Sequence, residues 1–184
     1  MKKNILISIL CMLLSACGGQ EAQTGGNAAS PKYRTTAPSL LYFKNMRSSY
    51  YEMIEQPGTR TELYRLRKFD KATQEPILIP VIANNWLKDE AYLMLEPAGF
   101  GEAFASPLTI RWETQSDSGL YRLQPATAAR QQEMALQLYE HLKAGRQLNA
   151  LAADSTWVPL FAGRDSRNYY LTTVRDYLRL TEAL

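Results

Sequence analysis

The sequence predicts an α+β domain in which one antiparallel β-sheet of about six strands packs against two C-terminal helices. Short apolar or alternating segments, separated by turn residues, occupy residues 40–124, whereas apolar residues take a helical spacing after Pro125. Strands that come first and helices that come last are the order expected of an α+β domain. The 184 residues show no internal repeat and no boundary of a second domain.

The first predicted strands contain a clear turn. Residues 40–43 are a short apolar run that predicts a strand, and residues 48–54 and 61–69 carry the aromatic and apolar side chains typical of strands. Pro57-Gly58 separates these last two segments. Because Pro and Gly are favoured at the centre of β-turns, the sequence predicts a hairpin here.

The following segments continue the sheet. Residues 77–83 are densely apolar, but Pro80 has no N–H to donate to a neighbouring strand, which predicts a sheet edge or a bulge. Ala91, Leu93 and Leu95 alternate with polar residues and predict a strand with one buried face. Three segments complete the predicted sheet: residues 90–96, 108–113 and 119–124. The polar turn at residues 114–118 predicts that the last two form a second hairpin.

The C-terminal third predicts two helices and one strand. Residues 126–144 have helical spacing, follow Pro125 and precede Gly145, which is typical of helix ends. Residues 156–161 predict a short strand that contains Pro159. We expect Asp165 or Ser166 to cap a final helix, in which the residues sharing one face are Tyr170, Val174, Tyr177, Leu178 and Thr181.

The amino terminus reads as an export signal. Lys2 and Lys3 precede an apolar run, residues 5–14, that is too short to span a bilayer. Leu14-Ser15-Ala16-Cys17 follows, and these residues resemble the bacterial lipobox. The resemblance implies cleavage before Cys17 and lipidation of that residue. It also implies attachment to a membrane of the bacterial cell envelope. Gly18, in the position after the cysteine, resembles the pattern that directs lipoproteins to the outer membrane.

This resemblance divides the chain into a signal peptide, residues 1–16, a lipidated amino terminus with a flexible tether, residues 17–38, and a single α+β domain, residues 39–184. The formal charge of +3 falls by two when Lys2 and Lys3 leave with the signal peptide. The remaining domain has no clustered basic excess, so we expect no nucleic-acid partner. The two cysteines of the chain lie in the predicted signal peptide and at the predicted lipidation site, which leaves none in the domain for a disulfide or a thiolate site.

No residue pattern predicts catalysis. His141 is the only histidine, it lies beside the apolar stripe of a predicted helix, and the chain has no G-x-S-x-G nucleophile motif. One histidine and no thiol are a poor donor set for zinc or copper, so we expect no metal site and no cofactor. Glu96, Glu102 and Glu113 leave a carboxylate-based hydrolase open, because two carboxylates need only be close in space.

Three features are candidate binding residues. Trp86 follows two asparagines in a predicted turn and can serve as a sugar-stacking platform or as a cap on the core. Phe100 and Phe104 lie in the glycine-rich loop at residues 97–107, where a polar loop is expected. Arg65 and Arg67 alternate on one predicted strand and form a cationic stripe that suits anionic glycans or lipid headgroups.

Taken together, these features predict a non-enzymatic lipoprotein of the cell envelope, attached to the membrane through Cys17, that binds a partner macromolecule or serves in an envelope assembly. Its partner would be an envelope protein or a glycan. Two alternatives stay open: a lipoprotein that binds a glycan or small ligand, and a carboxylate-based hydrolase. A weaker option is an inhibitor that inserts a protruding loop, residues 97–107, into an enzyme.

Overall fold

A computed structural model describes residues 33–71, 75–100, 107–123 and 127–184. These residues belong to one compact unit, Pro31–Leu184. Its helices are α1 (Ala37–Tyr42), α2 (Ala128–Lys143) and α3 (Arg164–Leu180). Its strands are β1 (Tyr51–Gln56), β2 (Thr61–Leu66), β3 (Ile77–Asn85), β4 (Glu90–Ala98), β5 (Leu108–Glu113), β6 (Ser118–Leu123), β7 (Gln147–Leu151) and β8 (Trp157–Leu160).

The α+β prediction is confirmed, but the strands form two sheets instead of one. The first sheet has the order β1-β2-β3-β4 and the second the order β6-β5-β7-β8, and every neighbouring pair is antiparallel. Helix α2 packs against β4 of the first sheet and β7 of the second. Helix α3 packs against α2, β3 and β4. The two predicted C-terminal helices therefore lie against the first sheet, and α2 also contacts the second.

Both predicted hairpins form, and the turn of the first follows the sequence closely. Gly58 has φ +79° between β1 and β2, which is a conformation that glycine adopts without steric cost. The alternating face of β4 is also confirmed, because Ala91, Leu93 and Leu95 are all buried. Tyr170, Val174 and Tyr177 are buried on α3 as its predicted face requires.

Two predictions about the first sheet were wrong. The strand predicted at residues 40–43 is part of a helical segment, since α1 runs from Ala37 to Tyr42. β3, which contains Pro80, is an internal strand rather than an edge. The hydrogen-bonded ladder between β2 and β3 ends at the Arg65–Val81 pair, so Pro80 lies just past it. Its missing N–H therefore removes no hydrogen bond from that ladder.

The strand β7 was not predicted. Its residues Leu148 and Ala150 are buried and alternate with more polar neighbours, which is a strand pattern. Ala and Asn are weak strand formers, so the local composition hides that pattern. Pairing with β5 and β8 on its two sides supplies what the local sequence lacks.

Candidate interaction surface

A capped helix, α1, lies near the beginning of the described residues. The Thr36 hydroxyl accepts a hydrogen bond from the Ser39 N–H at 3.3 Å, and the Ser39 hydroxyl oxygen accepts one from the Thr36 N–H at 3.0 Å. This reciprocal pair is a capping box. The Ser39 hydroxyl also donates to the Leu180 carbonyl at 2.7 Å, which fixes the start of α1 to the end of α3.

Beyond α1 the chain stays helical up to β1. A π-helical turn, Phe43–Arg47, and a 3₁₀ turn, Ser48–Tyr50, follow directly. Phe43 is the only fully buried side chain of these three helical pieces, and its ring lies 5.0 Å from Tyr64 and 5.6 Å from Tyr51. This aromatic group holds the helical segment against the sheet.

A buried ion pair fixes the same segment to α3. The Arg47 Nε lies 3.0 and 2.9 Å from the two carboxylate oxygens of Asp176, and the Tyr51 hydroxyl donates to Asp176 at 2.7 Å. Asp176 is 3% exposed. The hydrogen bond to Asp176 raises the pKa of Arg47. Burial and then the Asp176 charge raise the pKa of Tyr51, so the phenol stays protonated as a donor.

Several large apolar side chains of this well-anchored segment and of the start of β1 are exposed. Leu41, Tyr42, Met46, Tyr50 and Met53 are each between 46% and 63% exposed, and we call these five residues the amino-terminal apolar surface. Most of the exposed large apolar side chains in the described part of the chain lie in residues 41–54. An apolar concentration of this kind on a folded domain marks a contact surface more often than scattered single residues do.

The sequence carried a signal for this surface that the strand prediction obscured. Tyr42, Met46 and Tyr50 are spaced four residues apart, which is the spacing of one helix face. Reading residues 40–43 as a strand broke that pattern. The cap at Thr36 and Ser39 is the sequence feature that identifies the helix.

One edge of the first sheet is closed by other parts of the chain. β4 is an edge strand, and its Leu93 N–H donates to the Gln132 side chain at 3.3 Å while its Leu95 N–H donates to the Gln131 side chain at 3.1 Å. Nearer its start, the Ala91 N–H donates to the Tyr33 carbonyl at 2.7 Å. Side chains of α2 and the segment before α1 therefore take the place of a further strand.

The opposite edge, β1, is open. Along an antiparallel strand, the N–H and C=O groups of successive residues point alternately to one side and to the other. Because the N–H groups of Leu93 and Leu95 point away from β3, the strand registers determine which residues of every other strand in the sheet point outward. Following the registers from β4 to β1 places the N–H and C=O of Met53 and Glu55 on the outer side. No described residue donates to or accepts from these outward groups.

A cleft of about 420 Å³ lies between the helical segment and β1 and β2. It is lined by Lys44, Ser48, Tyr51, Met53, Glu62, Tyr64 and Arg67. Glu62 is its best-connected polar group, because it accepts hydrogen bonds from Tyr64 at 2.8 Å, Lys44 at 3.1 Å and Asn84 at 3.2 Å. Burial acts to raise the pKa of Glu62, but these three donors together outweigh it and lower the pKa.

The one carboxylate that lines this cleft, Glu62, lacks the raised pKa of a glycosidase acid. Glu55 lies directly opposite Glu62 in the β1–β2 ladder, which brings two carboxylates onto one face. A general acid requires a carboxyl group with a raised pKa. Because the pKa of Glu62 is lowered, this carboxyl group is held ionised as an acceptor.

His141 lies in a polar and aromatic cluster between α2 and the second sheet. Its ring stacks on Trp112 with centroids 4.7 Å apart, its Nε2 lies 2.8 Å from the Tyr121 hydroxyl, and Arg146 donates to its Nδ1 at 2.9 Å. Burial and then the Arg146 charge lower the pKa of His141. A neutral ring that accepts from Arg146 fits all three contacts. This arrangement suits a structural residue.

The structure does not bring Trp86 and Phe100 together. Trp86 lies in the turn between β3 and β4, is 40% exposed, and has the Arg60 guanidinium 5.3 Å from its ring centroid. Phe100 follows the other end of β4 and packs partly buried against the core. The nine residues of β4 separate them by about 30 Å, at 3.3–3.4 Å per residue. Phe104 lies outside the described residues.

Arg65 and Arg67 do not form the predicted cationic stripe on one strand. β2 ends at Leu66, and Arg67 begins a 3₁₀ turn, Arg67–Lys71, on the cleft side. Arg65 remains on the strand, but it forms ion pairs with Asp70 and with Glu96, the latter at 3.4 Å. A role for either arginine in binding a glycan or lipid stays a prediction.

The predicted signal peptide, Cys17 and the predicted tether as far as residue 32 lie outside the described residues, as does most of the loop at residues 97–107. Within the described ranges, no group of three His, Cys, Asp or Glu residues could hold a metal ion. Over the same ranges, no helix has both the length and the apolar character needed to cross a membrane.

The arrangement as a whole can offer contact area, an open strand edge and a polar cleft. No family model, no curated protein and no solved structure matches this chain.

Proposed function

We propose that this chain is a bacterial envelope lipoprotein, attached to a membrane through Cys17, whose domain binds a protein partner through the amino-terminal apolar surface. The observation that carries the proposal is the concentration of exposed apolar side chains in residues 41–54 on a segment that is otherwise firmly anchored. Because the backbone of this segment is anchored to the core, binding through it requires little ordering of the chain.

Anchoring of the segment argues against a loosely folded terminus. Phe43, the Arg47–Asp176 ion pair and the Ser39–Leu180 hydrogen bond each fix it to the core. About half of the surface of each apolar side chain outside these anchors stays exposed. Contact with another molecule is the physical use that remains for them.

Attachment to the membrane rests on the lipobox resemblance of Leu14 to Cys17. Metabolic labelling with a palmitate analogue tests it directly: we expect the wild-type chain to be labelled and recovered with membranes, and Cys17→Ser to be unlabelled. Label that persists in Cys17→Ser would contradict the proposed attachment.

Photo-crosslinking in intact cells tests the proposed surface. A photoreactive amino acid is placed at Leu41 or Met46, and at Leu87 or Leu120 as controls with matched exposure of 58–63%. We expect a discrete crosslinked species from Leu41 and Met46 and none from Leu87 or Leu120. Equal crosslinking at all four positions, or none at any, would contradict the proposal.

A glycan-binding function is the second candidate, because Trp86 is exposed at a hairpin turn with Arg60 over its ring. An exposed indole is a typical surface for stacking against a sugar. Binding of peptidoglycan fragments that is lost in Trp86→Ala, and retained in the matched variant Leu87→Ala, would favour this candidate over a protein partner.

A further inference from the structure

We propose that β1 accepts an extended segment of the partner protein as an additional antiparallel strand, and that this segment carries two basic residues separated by two apolar residues. The proposal rests on the proposed function and specifies how that partner is recognised. Addition of a strand to an open sheet edge combines main-chain hydrogen bonds for affinity with alternate side chains for specificity.

The backbone of β1 is available for such pairing. Met53 and Glu55 direct their N–H and C=O groups outward, as the sheet register requires. β1 (Tyr51–Gln56) contains neither Pro nor Lys, which are residues that commonly protect edge strands. β4 differs in this respect, because other parts of the chain cover it, whereas none of the residues that the structure describes pairs with the outer side of β1.

The side chains of β1 define the complementary sequence. Glu52, Met53, Ile54 and Glu55 are all exposed, and Met53 and Ile54 are about half exposed on opposite faces. No basic side chain in the described residues forms an ion pair with Glu52 or Glu55. An antiparallel strand with the order basic-apolar-apolar-basic places a cation opposite each glutamate and an apolar residue opposite each apolar residue.

A second copy of the chain does not meet this requirement. Two β1 strands related by a two-fold axis must keep residues of the same face opposite each other, so only registers that pair odd with odd residues are allowed. Met53 therefore cannot face Ile54. In the register that centres on Met53, Glu52 faces Ile54, and in the one that centres on Ile54, Glu55 faces Met53. Both registers place a carboxylate against an apolar side chain.

Two labelled peptides test the proposal against the full chain purified in detergent. The first, Thr-Lys-Val-Ile-Lys-Thr, has the proposed pattern, and the second, Thr-Glu-Val-Ile-Glu-Thr, reverses both charges. By fluorescence anisotropy we expect the lysine peptide to bind about tenfold more tightly, because two attractive cross-strand pairs replace two repulsive ones. Equal binding of the two peptides, or no binding of either, would overturn the proposal.

A charge exchange separates strand recognition from general attraction to lysine. The variant Glu52→Lys/Glu55→Lys should prefer the glutamate peptide by a similar factor. As a matched control, Glu90→Lys/Glu140→Lys makes the same charge change at exposed positions away from β1 and should keep the original preference. A control that reverses the preference would show net charge alone to be responsible.

The backbone contribution is tested at Met53. Met53→Pro removes one outward N–H, whereas Met53→Ala removes the side chain and keeps that donor. We expect Met53→Pro to weaken binding of the lysine peptide by at least about fivefold more than Met53→Ala does. Thermal unfolding checks that both variants are folded, and equal weakening by two folded variants would contradict pairing through the backbone.

Failure of this proposal and failure of the proposed function give different results. Crosslinks from Leu41 and Met46 that persist unchanged in Met53→Pro would leave the partner on the amino-terminal apolar surface and exclude β1 as its strand site. Absence of those crosslinks in the wild-type chain would remove the proposed function itself. A Met53-dependent dimer in sedimentation would identify a second copy as the occupant and overturn the proposal.

Discussion

The two edge strands of the first sheet, β4 and β1, both direct backbone N–H groups outward, but they differ in whether the described residues bind those groups. At β4, Gln131 and Gln132 accept hydrogen bonds from outward N–H groups, and the segment around Tyr33 covers the beginning of the strand. At β1, Met53 and Glu55 meet no such partner in the described residues, and exposed apolar side chains lie beside them. Unprotected edges promote aggregation, so a fold that keeps one open has a cost that binding can offset.

The open edge is nevertheless rigidly supported. Arg47, Tyr51 and Asp176 connect the segment before β1 to α3, while the aromatic group around Phe43 fills the space beneath it. The outer side of β1 is therefore open although the segment that leads into the strand is anchored to the core. A prepared edge of this kind binds without first having to become ordered.

Loss of Asp176 should have the largest effect, because it would separate the open edge from its support. Asp176→Ala leaves Arg47 and the buried Tyr51 hydroxyl without their acceptor, and we expect a loss of about 3 kcal/mol in the free energy of unfolding. Urea unfolding measures this change. The matched variant Asp165→Ala removes a carboxylate at the exposed start of α3 and should cost less than about 1 kcal/mol.

Loss of Gln132, which covers the edge strand β4, should have the next largest effect on stability. Gln132 is 1% exposed, accepts from the Leu93 N–H and donates to the Tyr177 hydroxyl at 2.6 Å. Gln132→Leu keeps the size of the side chain and leaves both groups without that partner, so we expect a loss of about 2 kcal/mol and greater self-association. Unfolding and sedimentation report the two effects. Gln137→Leu, near the surface of the same helix, should change neither appreciably.

A pair of proline variants tests the assignment of the open side. The Ile54 N–H faces β2 by the sheet register, whereas the Met53 N–H faces outward. We expect Ile54→Pro to lower the free energy of unfolding by about 2–3 kcal/mol and Met53→Pro by less than about 1 kcal/mol. A larger loss for Met53→Pro than for Ile54→Pro would show that the Met53 N–H, and not the Ile54 N–H, faces β2.

Local sequence patterns predict the fold class, but they do not predict which strands lie at the edges of each sheet or which edge is covered. The turn at Pro57-Gly58 and the alternation of Ala91, Leu93 and Leu95 are local signals, and both were confirmed. The division into two sheets depends on which strands pair over long sequence distances. Residues such as Gln147 and Leu151 do not encode that choice locally.

The candidate surface was missed for a related reason. Exposure of Tyr42 and Met46 depends on which face of a helix Phe43 turns toward Tyr51 and Tyr64, and a sequence pattern alone does not reveal it. Sequence reasoning favoured Trp86 and Phe100 because an aromatic in a loop is conspicuous. The structure places those two far apart. Of the exposed apolar residues, Leu41, Tyr42, Tyr50 and Met53 lie in segments that the sequence predicts as strands.

The second sheet extends the comparison, because its edge strand β6 is tied to α2 through Tyr121 and His141. Burial and the Arg146 charge lower the pKa of His141 below its ordinary value of 6.5. The unfolded chain therefore takes up a proton at a higher pH than the folded one, and stability should fall as pH drops through 6.5. Unfolding at pH 7.5 and 5.5 measures the loss, and His141→Asn should remove that part of it. An unchanged dependence in the variant would contradict the assignment.

A single charge should close the open edge with the smallest effect on stability. Ile54 is 51% exposed on β1, and Leu120 is 60% exposed on the edge strand β6. Lysine on an edge strand discourages pairing, so Ile54→Lys should repel a basic partner segment while costing only about 0.5 kcal/mol of folding free energy. Leu120→Lys, the matched change on the other sheet, should cost as little. Only Ile54→Lys should weaken crosslinking from Leu41, and equal weakening by both variants would mean that the two sheet edges do not differ in their use.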